Sequence, residues 1–319
     1  MLETRVTEML NIDYPILAGT MMNITTPQFV AACSNAGGLG ILASAMYESS
    51  EELQEAIKET KALTSKPFAV NLNLFPMLMP TNQLDYINVI IEEGIKIVET
   101  SGHKAPEEYI PVFKEAGLIW IHKCAGVRYA QTAARLGADI VTVVGYENGG
   151  ATGRFDIGTL VLIPSVVDAI DIPVIGGGGI TDGRGLIAAL ALGAEGIIMG
   201  TRMMATIECP IHNNLKQELI NAKEVDTALI MKSLGATSRV WNNSASQNIL
   251  EMETSNAEAV DIFQAISSAT TNEMYIQGDI NSLIVSCGQG TGLIHDIIPV
   301  QELFNRIMKE ATEIVQQLS

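Results

Sequence analysis

The sequence predicts an α/β chain, a (β/α)8 TIM barrel with a small helical lid domain inserted after the eighth strand, and three observations carry that expectation. Eight short apolar runs alternate with helical stretches every roughly 20–30 residues, which suits the roughly 250 residues of such a barrel. Apolar residues make up 47% of the 319-residue chain but aromatics only 5%, so its layers are filled by branched aliphatics. Glycine turns end two consecutive strands, at Gly176 to Gly179 and at Gly200. A doubly wound open sheet has the same local alternation and is the alternative until closure is seen.

The elements follow in order. Pro15 to Gly19 is a short apolar run ending in glycine, read as the first strand. Thr25-Thr26-Pro27 opens a helix with a threonine cap and a proline in its first turn, and Gly37-Gly38 closes it. Leu39 to Ser44 is the second strand; Ser49 and Ser50 then cap a helix whose first turn carries Glu51 and Glu52. Pro67 to Asn73 is the third strand, ending at Asn71 and Asn73. Asp85 to Glu93 is helical, Ile95 to Thr100 the fourth strand, Pro106 to Ala116 helical, and Leu118 to Cys124 the fifth strand. Val127 to Leu136 is a helix stopped by Gly137, and Asp139 to Val144 is the sixth strand, followed by a glycine-rich loop to Gly153. Thr159 to Ala169 reads as a helix with Pro164 near its first turn or kinking it. Pro173 to Ile175 and Gly196 to Met199 are the seventh and eighth strands. From Cys209 the strand–glycine–helix units stop. The division expected is a barrel over 1–208, a helical lid over 209–280 covering the barrel mouth, and 281–319 returning to the barrel with an amphipathic helix from Pro299 to Leu318.

Composition narrows the function. A formal charge of −17 argues against nucleic acid and against anionic membrane surfaces. No apolar run reaches the ~18 residues of a membrane span, and the N-terminus lacks a signal peptide's basic start and apolar core, so a cytoplasmic location is expected. The four cysteines form no CxxC pair and the four histidines no HxH or HExxH spacing, which argues against a metal site. The expected partners are a small-molecule substrate and a second copy of the chain in a homodimer.

In a barrel, chemistry sits at strand C-termini. The polar residues there are Thr20, Asn71, Asn73, Glu99, His122, Lys123, Glu147, Asn148 and Thr201. They form no Ser-His-Asp set and no acid/base carboxylate pair. Glycine turns free of side chains let backbone N–H groups approach a phosphate, and a helix starting near Thr181 or Asp182 offers its positive end. A phosphate cradle with few acids suits a bound organic cofactor that carries the reaction itself. Lys123 either sets its charge beside an electron-accepting ring or snorkels to the barrel rim. His122, one residue away, points to the helix layer. Cys124 reads as packing and Glu147 as a loop residue facing solvent or capping. Met21, Met22, Met77, Met79, Met203 and Met204 line a flexible chamber or fill the core.

NLNLFP (Asn71 to Pro76), HKCAGVRYA (His122 to Ala130), the long run GGGGITDGRGLIAALALGAEGIIMGTRMMAT from Gly176, ECPIH (Glu208 to His212) and GQGTGL (Gly288 to Leu293) resemble the nitronate monooxygenase (2-nitropropane dioxygenase-like) flavoprotein family. The resemblance runs from about Thr4 to the terminal helix and is nearest the branch of FMN-dependent NADH:quinone reductases, with FMN-dependent enoyl-acyl-carrier-protein reductases further off. It implies one non-covalent FMN, with NADH or NADPH as co-substrate. It sets the FMN phosphate on backbone N–H groups around Gly177, Gly178, Gly179, Gly200 and Thr201, and the isoalloxazine against Ala18, Gly19, Thr20 and Met21, near Asn71 and Lys123. Lys123 then faces the pyrimidine edge of the ring, where its charge stabilises the reduced flavin, and Gly150 and Gln289 approach the cofactor. In one respect the chain departs from the family pattern E-x-x-G-H-x-G after the sixth strand: Ala151 stands where the histidine is found. Alanine cannot take a proton, so base-assisted oxidation of neutral nitroalkanes is not expected. The function implied is NAD(P)H:quinone-type reduction through FMN. The alternatives are nitronate oxidation with oxygen and an enoyl-thioester reductase or C=C isomerase.

Overall fold

The computed structural model describes residues 2–75, 82–102, 104–153, 155–270 and 272–318. Strands β1 (Ile16–Ala18), β2 (Gly40–Ala43), β3 (Phe68–Asn73), β4 (Ile97–Ser101), β5 (Ile119–Cys124) and β6 (Ile140–Val144) are followed by a two-residue strand, β7 (Gly150–Ala151), and then by β8 (Val174–Gly177) and β9 (Gly196–Met199). All except β7 form one parallel sheet in the order β1-β9-β8-β6-β5-β4-β3-β2. The ends of that order meet: Ala18 N–H donates to the Leu39 carbonyl at 2.9 Å, and Leu39 N–H donates to the Ile16 carbonyl at 3.0 Å. The sheet is therefore a closed barrel, which excludes the open-sheet alternative.

Period-two alternation fills the barrel. Leu17, Leu39, Ile41, Ala69, Ile97, Ile121, Ile140, Ile175 and Ile198 form one buried cluster inside it. Val6 and Leu10 of α1 (Arg5–Leu10) join that cluster, so this short helix plugs one end. The opposite faces of the strands pack on α2 (Pro27–Asn35), α3 (Ser50–Leu63), α4 (Gln83–Glu92), α5 (Ile110–Glu115), α6 (Val127–Leu136), α7 (Thr159–Val167) and α8 (Gly183–Ala191). Local chemistry sets their starts: Ser49 Oγ accepts from Glu52 N–H at 3.2 Å to begin α3. Pro164 lies in the second turn of α7, not the first.

The eighth βα unit is split. After β9 the chain passes through α9 (Thr201–Met204), α10 (Asn213–Asn221), strands β10 (Thr227–Ile230) and β11 (Ser238–Trp241), and helices α11 (Ser244–Thr254), α12 (Ala259–Ser268) and α13 (Asn272–Gln277). It then returns as α14 (Val300–Leu318), which packs against α8 and α2 and so fills the place of the eighth barrel helix. The inserted segment is not helical alone. β10 and β11 form an antiparallel hairpin, and Ser238 and Arg239 of β11 pair with Ala151 and Gly150 of β7. Four-residue, half-exposed strands such as TALI and SRVW are too short for a period-two signal to stand out from their surroundings.

The insertion leaves and re-enters the barrel through a joined neck. Ile207 N–H donates to the Ile298 carbonyl at 3.1 Å. Arg202, 4% exposed, donates to Asp296 Oδ1 at 2.8 Å. The Glu208 carboxylate accepts from Val300 N–H at 3.0 Å at the start of α14.

Candidate active site

The inward positions just above the aliphatic barrel core divide the mouth in two. Two residues beyond Ile175, Ile198, Leu17 and Ile41 stand Gly177, Gly200, Gly19 and Ala43, on the contiguous strands β8, β9, β1 and β2. Two residues beyond Ala69, Ile97, Ile121 and Ile140 stand Asn71, Glu99, Lys123 and Thr142, on the contiguous strands β3 to β6. One half of the mouth is thus nearly free of side chains and the other half is polar.

The polar half is organised by Glu99, which has no exposed surface. Its Oε2 accepts from Thr20 Oγ1 at 2.7 Å and from Asn71 Nδ2 at 2.6 Å. Asn71 Nδ2 also lies 3.2 Å from Ser101 Oγ. Lys123 Nζ stands 3.7 Å from Glu99 Oε1, an ion pair beyond hydrogen-bond length. A carboxylate this deep persists only when it is paired and hydrogen-bonded, and these contacts supply both. Even so, Glu99 Oε1 and the buried Thr142 Oγ1 have no hydrogen-bond partner among the described residues. Both flank Lys123, since Thr142 is its register partner on β6.

The glycine half begins where β8 ends. Gly178 and Gly179 have φ of +101° and +71°, conformations that side chains resist, and a Cβ on Gly178 would lie 2.7 Å from Thr159 Oγ1. The N–H groups of Gly178, Gly179, Gly200 and Thr201 have no acceptor among the described residues. The positive end of α8, by contrast, is already taken. Asp182 Oδ1 accepts from Arg184 and Gly185 N–H at 3.0 and 3.1 Å, and Glu310 Oε2 accepts from Gly183 N–H at 2.9 Å. The helix dipole expected to serve a phosphate there is instead satisfied by the protein's own carboxylates, and the candidate donors are the turn N–H groups.

Other expected residues fall as follows. Thr201 Oγ1 accepts from Gly288 N–H at 2.9 Å, and Gln289 N–H donates to the Glu147 carbonyl at 2.9 Å, so GQGTGL lies against the loop after β6. Gly288 and Gly149 let these loops cross: a Cβ on Gly149 would be 2.8 Å from Cys287 N. Gln289 lines a cavity of about 460 Å³ with Gly178 and Gly179, on the side facing α7 and α8. The Glu147 carboxylate caps α7, accepting from Thr159 N–H at 2.9 Å and Thr159 Oγ1 at 2.8 Å. Ala18 is buried in β1 and Met21 stands beside Gly200. Met203 and Met204 are core residues, Met22 is half exposed, and Met77 and Met79 lie outside the described residues.

Ala151 is exposed and fixed in β7, its carbonyl accepting from Asn148 Nδ2 at 2.9 Å. Arg239 of β11 steadies this loop, donating to the Tyr146 carbonyl at 3.1 Å and stacking 4.7 Å from the Tyr146 ring centre. Among the described residues no histidine takes over the place. His122 points to the helix layer, where Thr100 Oγ1 lies 2.8 Å from its Nδ1 and burial lowers its pKa to about 4. His212 caps α10, accepting from Asn214 N–H at 3.1 Å, and His295 is exposed. Burial raises the Cys124 thiol to about 12, which suits packing and not nucleophilic chemistry.

Polar groups gathered at the C-terminal mouth of a closed (β/α)8 barrel define an enzyme of the TIM-barrel class, and the comparisons with known proteins make it an oxidoreductase. The chain belongs to the nitronate monooxygenase family, whose model matches residues 3–310. A curated relative from Rhodococcus jostii, named (3aS,4S,5R,7aS)-5-hydroxy-7a-methyl-1-oxo-octahydro-1H-indene-4-carboxyl-CoA dehydrogenase, is 33% identical over 99% of this chain and 98% of its own length. A probable nitronate monooxygenase from Staphylococcus saprophyticus is 32% identical over 99% of each chain. The solved structure of FabK from Thermotoga maritima superposes with a TM-score of 0.93 at 37% identity, covering 100% of this chain and 99% of that one. Among the described residues, no helix is long and apolar enough to cross a membrane.

Proposed function

We propose that this enzyme is an FMN-dependent oxidoreductase that takes hydride from NADH or NADPH and passes it to a small acceptor of the quinone type. The observation that carries the reading is the divided mouth: N–H groups without acceptors on the β8 and β9 turns, and the Lys123 ammonium two strands round the barrel from β8. The residues present fit FMN. The turn N–H groups suit its phosphate, the side-chain-free half leaves room for a flat ring, and the buried Thr142 Oγ1 and Glu99 Oε1, the latter held by Lys123 through charge alone, have no hydrogen bond among the described residues. Bound FMN would supply the two-electron chemistry.

The protein's part is electrostatic and steric. Gly178, Gly179, Gly200 and Thr201 would hold the phosphate. Thr20, Asn71 and Lys123, fixed through Glu99, would line the ring, and the Lys123 cation favours the state of the site that carries more negative charge. The inserted segment, tied to the mouth through β7 and β11, would limit water. Ala151 offers no proton acceptor, which favours hydride transfer over abstraction of a proton from a neutral nitroalkane.

The test is spectroscopic. The purified protein should carry a flavin spectrum, and anaerobic NADH or NADPH should bleach it, with a quinone restoring the colour. Absence of flavin, or bleaching by neither nucleotide, would refute the reading. A second reading, oxidation or reduction of an acyl thioester, draws support from the carboxyl-CoA name of the R. jostii relative. Recolouring by an enoyl-CoA but not by a quinone would select it. Oxygen uptake with an alkyl nitronate and no reaction with either nucleotide would select nitronate oxidation.

A further inference from the structure

We propose that Glu99 is a positioning residue that binds Thr20, Asn71 and Lys123 into one unit and offsets the lysine's charge, so that the flavin meets a moderated cation instead of a bare one. This deepens the functional reading above and rests on it. The argument is geometric. Glu99 comes from β4, between the strands that carry Asn71 and Lys123, and is the only carboxylate among the four inward polar residues of the mouth. Its Oε2 takes both neutral donors, Thr20 Oγ1 and Asn71 Nδ2, and leaves Oε1 to the lysine alone. No cation other than Lys123 forms an ion pair with it among the described residues. With the Glu99 side chain fully buried and the Lys123 side chain about a fifth exposed, little water screens the pair.

Chemically, the arrangement separates two tasks. Hydrogen bonding at Oε2 fixes geometry, and charge at Oε1 sets how strongly the site favours an anion. A glutamine at this position separates them experimentally, because its amide oxygen accepts the same two hydrogen bonds while the charge is lost. A leucine removes both.

Sulfite is the probe. It donates an electron pair to oxidised flavin, forms an S–N bond and leaves negative charge on the ring, so its affinity reports the local potential without turnover. With the holoenzyme, Glu99→Gln should retain flavin and bind sulfite about tenfold more tightly or better, as expected when a charge is removed beside a cation. Lys123→Met should weaken sulfite binding by a comparable factor, and Glu99→Leu should release flavin more readily than either. Unchanged or weaker sulfite binding in Glu99→Gln would overturn the proposal. So would loss of flavin from Glu99→Gln, since the hydrogen bonds are retained. A wild-type protein without flavin overturns the functional reading and this inference together, whereas a flavin-bearing wild type with an unresponsive Glu99→Gln overturns this inference alone.

Discussion

Lowering the pH from 7 towards 4.5 should destabilise the barrel through His122, far more than an ordinary surface histidine would. The imidazole is 2% exposed, between β5 and the helix layer, beside Trp120. Trp120 Nε1–H donates to Thr100 Oγ1 at 2.7 Å, and the same oxygen lies 2.8 Å from His122 Nδ1. Burial favours the neutral ring; protonation would put a charge in a buried site that the nearby Glu99 offsets only in part. Burial lowers the folded-state value to about 4 from 6.5. At about 1.4 kcal/mol per pH unit, that gap corresponds to ~3 kcal/mol in all, of which ~2 kcal/mol is lost by pH 5. The sign is that of a depressed base. The unfolded chain binds the extra proton, so the contribution is complete above pH 6.5 and disappears as pH falls towards 4. Urea unfolding of wild type and His122→Leu at pH 7, 6, 5 and 4.5 measures it. The variant should begin less stable, because Thr100 loses its hydrogen bond to the ring, but decline less steeply, so that the two stabilities converge. Parallel pH profiles would refute the reasoning.

Two further perturbations test the turn and the neck. Gly178→Ala puts a Cβ 2.7 Å from Thr159 Oγ1 at a φ of +101°, and should cost about 2 kcal/mol or more, read as a lower thermal midpoint together with reduced flavin content. Arg202→Met removes the donors to Asp296 Oδ1 and to the Asp296 carbonyl at 3.0 Å. Because Asp296 is over a third exposed and retains Arg306, the cost should be about 2 kcal/mol, below that of a fully buried pair. Limited proteolysis should then cut preferentially near residues 205–210 and 294–299.

What could be read from the chain, and what could not, follows from the range of the interactions. The barrel is legible because each strand and helix announces itself within about twenty residues, and eight repetitions outweigh errors at single boundaries. Lys123 and His122 fall on opposite faces by period two alone, as the structure has them. The organising role of Glu99 is not legible. In IVETS it is one acid at a strand end, and its hydrogen-bond partners lie 28 and 79 residues away. The occupied start of α8 is a different case. Asp182 does signal a helix start, but the residue that marks the N-terminus is the one that consumes its free N–H groups, and Glu310 arrives from 127 residues on. The inserted hairpin depends on pairing with β7, which no local pattern records.

The neck also bears on how the molecule could diversify. About a hundred residues separate β9 from α14, yet their entry and exit lie side by side, joined through Ile207 and Ile298, Arg202 and Asp296, and Glu208 and Val300. To the barrel, the intervening chain is one long loop with adjacent ends. Loop-closure cost grows only slowly with length, so the part of the insertion whose side chains form their own cluster, Ile230, Val240, Ile249, Ile262 and Ile284, can change at little expense to the barrel, whereas Leu215, Leu219, Leu283 and Cys287 are shared with the barrel's own core. Variation is thus cheapest in that separate cluster, while the shared core and the bonds of Gly288 and Gln289 to Thr201 and Glu147 keep the rest of the insertion in register with the mouth.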